Sequence, residues 1–353
     1  MNGRRIADDE PAYVIAEIGH NHQGKIETCK EMFRAAVQCG ADAVKLQKRD
    51  NRALYTSEMY DSPYHSENAY GPTYGTHREA LEFGKEQYIE LKAYADELGV
   101  HFFSTAFDRP SADLLEEIGL EAYKIASGDL TNTPLLKHVA AFGKPMIIST
   151  GGATMEDVQR AYDAIRPINP NFCILQCTSG YPSPYEELNL KVIETFTEAF
   201  PDVVIGFSGH DAGIAMPLVA YMLGARVLEK HFTLNRTWKG TDQAFSLEPG
   251  GLRRVVRDLH RTREALGSGN KITYESETGP LNKMVKRIVA ARDLPAGTAL
   301  VEADLDYRIP TTERITPKAL QPYWVEHLVG RKLVKAVKAE DIVGFDEIGE
   351  TRK

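Results

Sequence analysis

Short apolar stretches rich in β-branched residues recur along the chain, and each turns polar or glycine-rich at its end. They read YVIAEIGHNH (13–22), AVKLQK (43–48), HFFSTAFD (101–108), AYKIASGD (122–129), PMIISTGG (145–152), FCILQCTSGY (172–181), VVIGFSGHD (203–211) and RVLEKHF (226–232). Their length and composition predict β-strands. Between them lie segments with apolar residues three and four apart, such as IETCKEMFRAAVQCG, KEQYIELKAYADELG, EDVQRAYDAI and GLRRVVRDLHRTREALG. These predict amphipathic helices, and several stop at glycine, which accepts the left-handed end of a helix. Eight strand–helix units over roughly 250 residues are what a (β/α)8 TIM barrel requires, with its reactive groups at the C-terminal ends of the strands. A doubly wound open sheet is the competing α/β arrangement.

Side chains two apart on a strand share a face, so parity selects those that look into the barrel. Lys45 and Gln47 fall together on the second strand, and Lys124 and Ala126 on the fourth, with Ser127, Gly128 and Asp129 in the loop beyond. Gly206, Ser208 and His210 fall together on the seventh, and Glu229 and His231 on the eighth, while Glu17, Thr105 and Ser149 sit near the ends of the first, third and fifth. Two lysines among several hydroxyls suit a phosphorylated, carboxylated anion. His210 and His231, on adjacent strands, are placed to share one metal ion; imidazole suits manganese, iron, cobalt or zinc, whereas magnesium prefers oxygen. The competing reading makes one of them a hydrogen-bonded wall residue. His20 and His22 are weaker candidates. A Schiff base on Lys45, Lys124 or Lys230 would make the chain a lysine aldolase instead, although the sixth strand carries Gln176 and no lysine. The glycines of STGGAT lack the spacing of a dinucleotide or Walker loop.

The chain has 353 residues, more than one barrel needs, so a second domain is expected. LGSGNKITYESETGP has no clear period, which divides the chain into a barrel at 1–266, a linker at 267–280 and a compact module of short strands at 281–353. That module carries +2 and the remainder −10, a difference that salt largely screens. A net charge of −8 argues against nucleic acid and offers no basic stripe to a membrane surface. No apolar run is long enough to span a bilayer and MNGRRIADDEPAY is not a secretory signal, so a cytoplasmic location is expected. Cys29, Cys39, Cys173 and Cys177 lack zinc spacing and read as buried thiols. The stretch from Arg49 to Gly84 interrupts the second strand–helix unit with Tyr55, Tyr60, Tyr64, Tyr70 and Tyr74. Loops of that length are usually functional, and this one is expected to act as a lid.

AEIGHNHQG (16–24), GADAVKLQK (40–48), FFSTAFD (102–108), YKIASGD (123–129), KPMIISTGG (144–152), QCTSGYPSPYEELNL (176–190), IGFSGHD (205–211), LEKHFT (228–233) and KGTDQAFSLEP (239–249) together resemble the sialic acid synthase (N-acetylneuraminate synthase) family. The C-terminal segment resembles that family's antifreeze-like SAF module, of β-clip type. The resemblance implies condensation of phosphoenolpyruvate with N-acetylmannosamine, its 6-phosphate or a related N-acylated amino sugar, releasing phosphate to form a nine-carbon 2-keto acid. It implies that Lys45, Thr105, Lys124, Ser127, Ser149 and Ser208 hold phosphoenolpyruvate, with Gln47 beside them. His210 and His231 would hold a divalent metal, manganese being the usual ion. Asp129 would handle the protons of the attacking water, with Glu17 and Lys124 as further catalytic groups, and Asp242 would contact the sugar or the metal shell.

The resemblance also implies a homodimer in which each C-terminal module covers the partner's barrel mouth. Two departures bear on the acceptor. Ser179 stands where the family often has asparagine, though Tyr181 is kept. Ile309 precedes Pro310 where the family commonly places an acyl-contacting arginine, leaving Arg308 and Arg314 as the nearest candidates. TWKGTD (237–242) is similar to the animal-type members, and Lys239 and Arg236 are candidates for an acceptor phosphate. The alternatives are a synthase of legionaminic acid, pseudaminic acid or another surface or spore-coat precursor, and a non-catalytic carbohydrate- or ice-binding protein.

Overall fold

Eight parallel strands close into a barrel in sequence order: β1 (Tyr13–Gly19), β2 (Ala43–Lys48), β3 (His101–Ala106), β4 (Tyr123–Ile125), β5 (Met146–Ser149), β6 (Phe172–Cys177), β7 (Val204–Gly209) and β8 (Val227–His231). This computed structural model describes residues 3–315 and 319–350. All eight predicted strands are present and the competing open sheet is not, because β1 pairs with β8 from Tyr13↔Val227 to Glu17↔His231. The predicted strands ran too far at their C-terminal ends, where the polar and glycine residues leave the ladder to form loops.

Alternation along each strand sorts the side chains. Tyr13, Ile15, Ala43, Phe103, Ala122, Ile147, Cys173, Leu175 and Val227 form one apolar cluster inside the barrel. The opposite parity, including Val14, Ala16, Val44, Leu46 and Phe102, packs outward against the helices in a larger core. Continuing the inward parity one step beyond the inner cluster gives Glu17, Lys45, Thr105, Lys124, Ser149, Ser208 and Glu229, all buried. The barrel is therefore apolar at its floor and charged at its mouth, as enzymes of this fold are. Helices return the chain between strands with local end signals. Asp108 caps Arg109–Ile118 by accepting from Ser111 N at 2.7 Å, and Gly99 and Gly119 close two helices in left-handed conformation.

The stretch 49–84 is not an irregular loop. It contains helices Asn51–Leu54, Ser57–Asp61 and Tyr74–Glu79, capped by Asp50, Thr56 and Thr73. Its tyrosines pack on one another, with Tyr74 edge-on to Tyr55 at 5.2 Å and to Tyr64 at 5.4 Å between ring centroids. Its tip is clasped to the segment after β8: Tyr70 Oη donates to Lys239 O at 2.7 Å, and Gly240 N donates to Asn68 Oδ1 at 3.0 Å.

The chain divides into two compact units between Gly267 and Ser268. The second unit pairs strand Arg287–Ala290 antiparallel with Leu305–Arg308. Ile288, Leu294, Leu300, Leu320, Leu333, Val343 and Phe345 are among the residues of its own apolar core. The expected linker runs into a helix, Glu275–Met284, that begins where Glu277 accepts from Tyr274 N at 2.8 Å, contains Pro280 and extends four residues into the expected module. Its buried face is absent, so apolar spacing offered no trace of it. Among the described residues, no helix is long and apolar enough to cross a membrane.

Gly206 faces inward on β7, where a Cβ would come within 2.4 Å of both Leu175 Cδ2 and the Val227 carbonyl oxygen. Gly206→Ala is expected to cost about 1–3 kcal/mol by overpacking, seen as a lower urea midpoint. Gly250→Ala meets nothing within 4 Å at the start of helix Pro249–Leu266; as the matched control it should be neutral or stabilising by up to about 1 kcal/mol.

Candidate active site

The charged mouth opens into a cavity of about 620 Å³. Thirteen residues singled out from the sequence line it: Glu17, Lys45, Gln47, Thr105, Lys124, Ser127, Ser149, Ser179, Tyr181, Ser208, His210, His231 and Asp242. They come from all eight strands or the loops directly after them and from the segment after β8, so barrel closure is what assembles them.

Two lysines and two carboxylates form the floor. Lys45 Nζ lies 2.8 Å from Glu17 Oε2 and 3.7 Å from Glu229 Oε2, and donates to Thr105 Oγ1 at 3.0 Å. Lys124 Nζ lies 3.9 Å from Glu229 Oε1 and donates to Ser149 Oγ at 2.5 Å. Ser208 Oγ donates to Glu229 Oε1 at 3.0 Å, and Gln47 Nε2 to Glu17 Oε1 at 2.7 Å. Each charge is 4 % exposed or less, so the network stands only because it is internally compensated. The carboxylates are pushed apart. Burial raises the Glu17 pKa, Lys45 offsetting only part of it, whereas the burial that would raise Glu229 is outweighed by Lys124 and Lys45, which hold it at about 2. Burial also lowers Lys124, with Glu229 opposing. The aldolase alternative needs a neutral amine, and here both cavity lysines are paired with carboxylates. Lys230 is tied to Asp211 at 2.8 Å and does not line the cavity.

The two histidines face one another with ring centroids 5.3 Å apart. His210 Nδ1 donates to the Thr178 carbonyl at 2.8 Å, leaving Nε2 without a hydrogen bond among the described residues. Burial drives the His231 pKa down to about 3, Asp242 opposing, so this ring is neutral near pH 7. His231 Nδ1 is buried without a hydrogen-bond partner, with Asp242 Oδ2 3.7 Å away. A neutral ring with an orphaned nitrogen beside a second imidazole fits a metal ligand pair. Among the described residues no group of three or more His, Cys, Asp or Glu gathers in metal-binding geometry, so a metal here would draw its other ligands from water and substrate. Tyr181 lies tilted against His210, ring centroids 4.3 Å apart, and Phe245 meets His231 edge-on at 5.0 Å.

The remaining expected residues make the following contacts. Asp129 sits in the turn Ser127–Asp129, half-buried, accepting from Asn132 Nδ2 at 3.1 Å; Gly128 lines the cavity and Asp129 does not. Burial raises the Asp129 pKa against the opposing Asn132 hydrogen bond. In the second unit, Arg308 pairs with Asp306 and Glu340, and Arg314 with Asp341. Lys239 donates to Ala69 O and Arg236 to Ala244 O, and neither lines the cavity. His20 pairs with Glu82 at 3.2 Å and His22 stacks on Phe83 at 4.1 Å, so both are structural. All four cysteines are free and buried; Cys177 lines the cavity, its Sγ 3.9 Å from His210 Nδ1.

The sequence reading passed over Arg49, Arg78, Phe107 and Thr241, and it placed Glu229 on the inward face without assigning it a role. Arg49 shares the parity of Lys45 and Gln47, a signal that was there to use. Arg78 lies in helix Tyr74–Glu79, where no period points inward.

Comparison with known proteins places these motifs together. Residues 32–271 match the model of the NeuB family. The N-acetylneuraminate-9-phosphate synthase of Mus musculus is 41% identical over 341 residues, covering 97% of this chain and 94% of that protein. The N,N'-diacetyllegionaminic acid synthase of Legionella pneumophila is 36% identical, covering 95% and 94%. The crystal structure of N-acetylneuraminic acid synthetase from Leptospira borgpetersenii, in complex with citrate, superposes with a TM-score of 0.69 at 32% identity, covering 80% of this chain and 94% of that one.

Glu229 is the sole ion-pair partner of Lys124 among the described residues. Glu229→Gln should therefore destabilise the ligand-free protein by about 3–5 kcal/mol, the usual effect of leaving a buried charge unpaired. Urea denaturation at pH 7 reads this directly, and an unchanged midpoint would show that the lysine is satisfied by Ser149 and water alone.

Proposed function

The chain belongs to the NeuB family, and on that premise we propose that it condenses phosphoenolpyruvate with an N-acylated amino sugar, releasing phosphate and forming a nine-carbon 2-keto acid of the sialic acid type. The observation that carries the reading is the single cavity in which the Lys45 and Lys124 cradle and the His210–His231 pair meet.

The chemistry follows from the residues. Phosphoenolpyruvate brings a phosphate and a carboxylate into a site whose lysines are already balanced by Glu17 and Glu229. Charge-assisted hydrogen bonds from Lys45, Lys124, Thr105, Ser127, Ser149 and Ser208 fix it and later support the departing phosphate. C3 of phosphoenolpyruvate attacks the aldehyde carbon of the open-chain sugar, forming the new C–C bond and leaving positive charge at C2. The aldehyde oxygen takes a proton, for which the upshifted Glu17 carboxyl is suited. Water adds to C2 and returns a proton to the Glu17 carboxylate, and the C2–O bond to phosphate breaks, the phosphate leaving with the hydroxyl proton, to give the ketone; Asp129, outside the cavity lining, takes no part in this step. His210 and His231 would hold a divalent ion, manganese by resemblance, which when bound would supply Lewis-acid polarisation of the aldehyde. Ser179, Tyr181 and Asp242 orient the sugar.

By the same resemblance the enzyme is a cytoplasmic homodimer, with Arg308 or Arg314 of the antifreeze-like module of one copy reaching the acceptor in the other. A related keto-sugar acid is the second reading; what supports it is Ser179 in place of the family's asparagine and Ile309 in place of its acyl-contacting arginine, together with the similarity to the Legionella enzyme. A binding protein without catalysis has no use for buried lysines and a histidine pair beside one another.

Phosphate release from phosphoenolpyruvate with manganese, compared across N-acetylmannosamine, its 6-phosphate and a 2,4-diacetamido sugar, tests the reaction and the acceptor. Release with one acceptor is expected to vanish after chelation, to return with manganese, and to be absent in His231→Ala. Release that survives chelation would remove the metal from the mechanism, and no release with any sugar would overturn the synthase reading.

A further inference from the structure

The cavity holds more positive charge than its lysines account for. Arg49 and Arg78 both line it, and neither is needed for the phosphoenolpyruvate cradle. Arg49 is 7 % exposed, donates from Nη2 to Gln47 Oε1 at 2.8 Å and places its Cζ over the Phe107 ring, 3.7 Å from the centroid. Its nearest carboxylate is Glu82 at 3.8 Å, which is already engaged by Lys48 at 2.9 Å and His20 at 3.2 Å. Arg78 is barer. Its guanidinium makes one hydrogen bond among the described residues, from Nη2 to Tyr74 Oη at 2.9 Å. Its Nε is buried with no partner, and no carboxylate lies within ion-pairing distance of it among the described residues. Arg78 as a whole is half-buried, but a guanidinium whose Nε is enclosed without a partner is expensive unless a ligand completes it.

The geometry points to Arg49 and Arg78 as the subsite for a phosphate on the acceptor sugar, and hence as the residues that select a phosphorylated acceptor. This rests on the synthase reading and adds to it. The acceptor reacts at its aldehyde carbon and carries a phosphate at the opposite end of its carbon chain, so that phosphate must lie well away from the lysine floor. Arg49 continues the inward parity of Lys45 and Gln47. It is four residues beyond Lys45, about 13 Å further along an extended chain at ~3.3 Å per residue. Guanidinium groups bind phosphate through paired donors in a plane, which a lysine does not offer.

The lid sets Arg78 in place. Its helix, Tyr74–Glu79, is capped by Thr73. The same lid is clasped by Tyr70 and Asn68 to the Lys239–Gly240 backbone, which leads directly into Thr241 and Asp242 in the cavity wall. Lys239, the sequence candidate for this phosphate, is the clasp and not the ligand: its Nζ donates to Ala69 O and lies 4.8 Å from the Tyr70 ring centre.

The test is steady-state phosphate release with N-acetylmannosamine and its 6-phosphate as rival acceptors, for wild type, Arg78→Gln, Arg78→Lys and Arg49→Gln. Wild type is expected to favour the 6-phosphate. Arg78→Gln should lower kcat/KM for it by about 10- to 100-fold, the range of a lost charge-assisted hydrogen bond, and change the unphosphorylated sugar by less than about threefold. The KM for phosphoenolpyruvate should not move, and Arg78→Lys should fall between because it keeps the charge without the planar fork. Activity on the unphosphorylated sugar reports that each variant is folded. Equal losses on both acceptors, a raised KM for phosphoenolpyruvate, or a wild type that prefers the unphosphorylated sugar would overturn the assignment. If neither sugar is condensed, the synthase reading fails separately. Calorimetric titration of N-acetylmannosamine 6-phosphate then decides the subsite: binding weakened by about tenfold or more in Arg78→Gln keeps it, and equal binding to both proteins removes it.

Discussion

The four-way ion network of Lys45, Lys124, Glu17 and Glu229 is the constraint around which the barrel mouth is built. Four charges at 4 % exposure or less cannot be left singly in a protein interior. Each lysine therefore touches a carboxylate, and each carboxylate takes a second donor from Gln47 or Ser208. Satisfying all of them requires β1, β2, β4, β7 and β8 to meet at one level, which only the closed barrel provides. The same compensation leaves the lysines able to exchange a carboxylate contact for an incoming anion without a large change in net charge.

Above this floor the site becomes progressively less self-satisfied. The lysines are fully paired, His231 keeps one orphaned nitrogen, and Arg78 keeps most of its donors free. Unsatisfied groups in a folded interior are costly, so they mark places where something else belongs. The gradient runs from the strand-built floor to the upper wall of the cavity, and helix Tyr74–Glu79 supplies the last part of it.

Strand parity made much of this legible in advance. The period of two is exact, so once Lys45 is taken as inward, Gln47 follows, and Gly206, Ser208 and His210 sort in the same way. Arg49 obeyed the rule as well, but it lies one residue past β2, where the loop was expected to release the alternation. Asp129 shows the opposite failure. It follows the inward pair Lys124 and Ala126 closely, yet the turn Ser127–Asp129 carries its carboxylate to Asn132 and out of the cavity lining. Lys239 carries its charge beside a motif, and the fold ties it to the Ala69 carbonyl at the tip of the 49–84 stretch.

By itself the sequence determined the eight-unit alternation, the apolar floor, the identity of the inward side chains and the family, because each of these is written in local period and motif. Tertiary structure alone decided which ionised groups share a partner, that His231 retains an unsatisfied nitrogen, that 49–84 folds into clasped helices, and that Arg78 reaches the cavity. Those facts depend on distances between strands and loops far apart in the chain, and on the burial that closure imposes. Period along one segment carries no information about either.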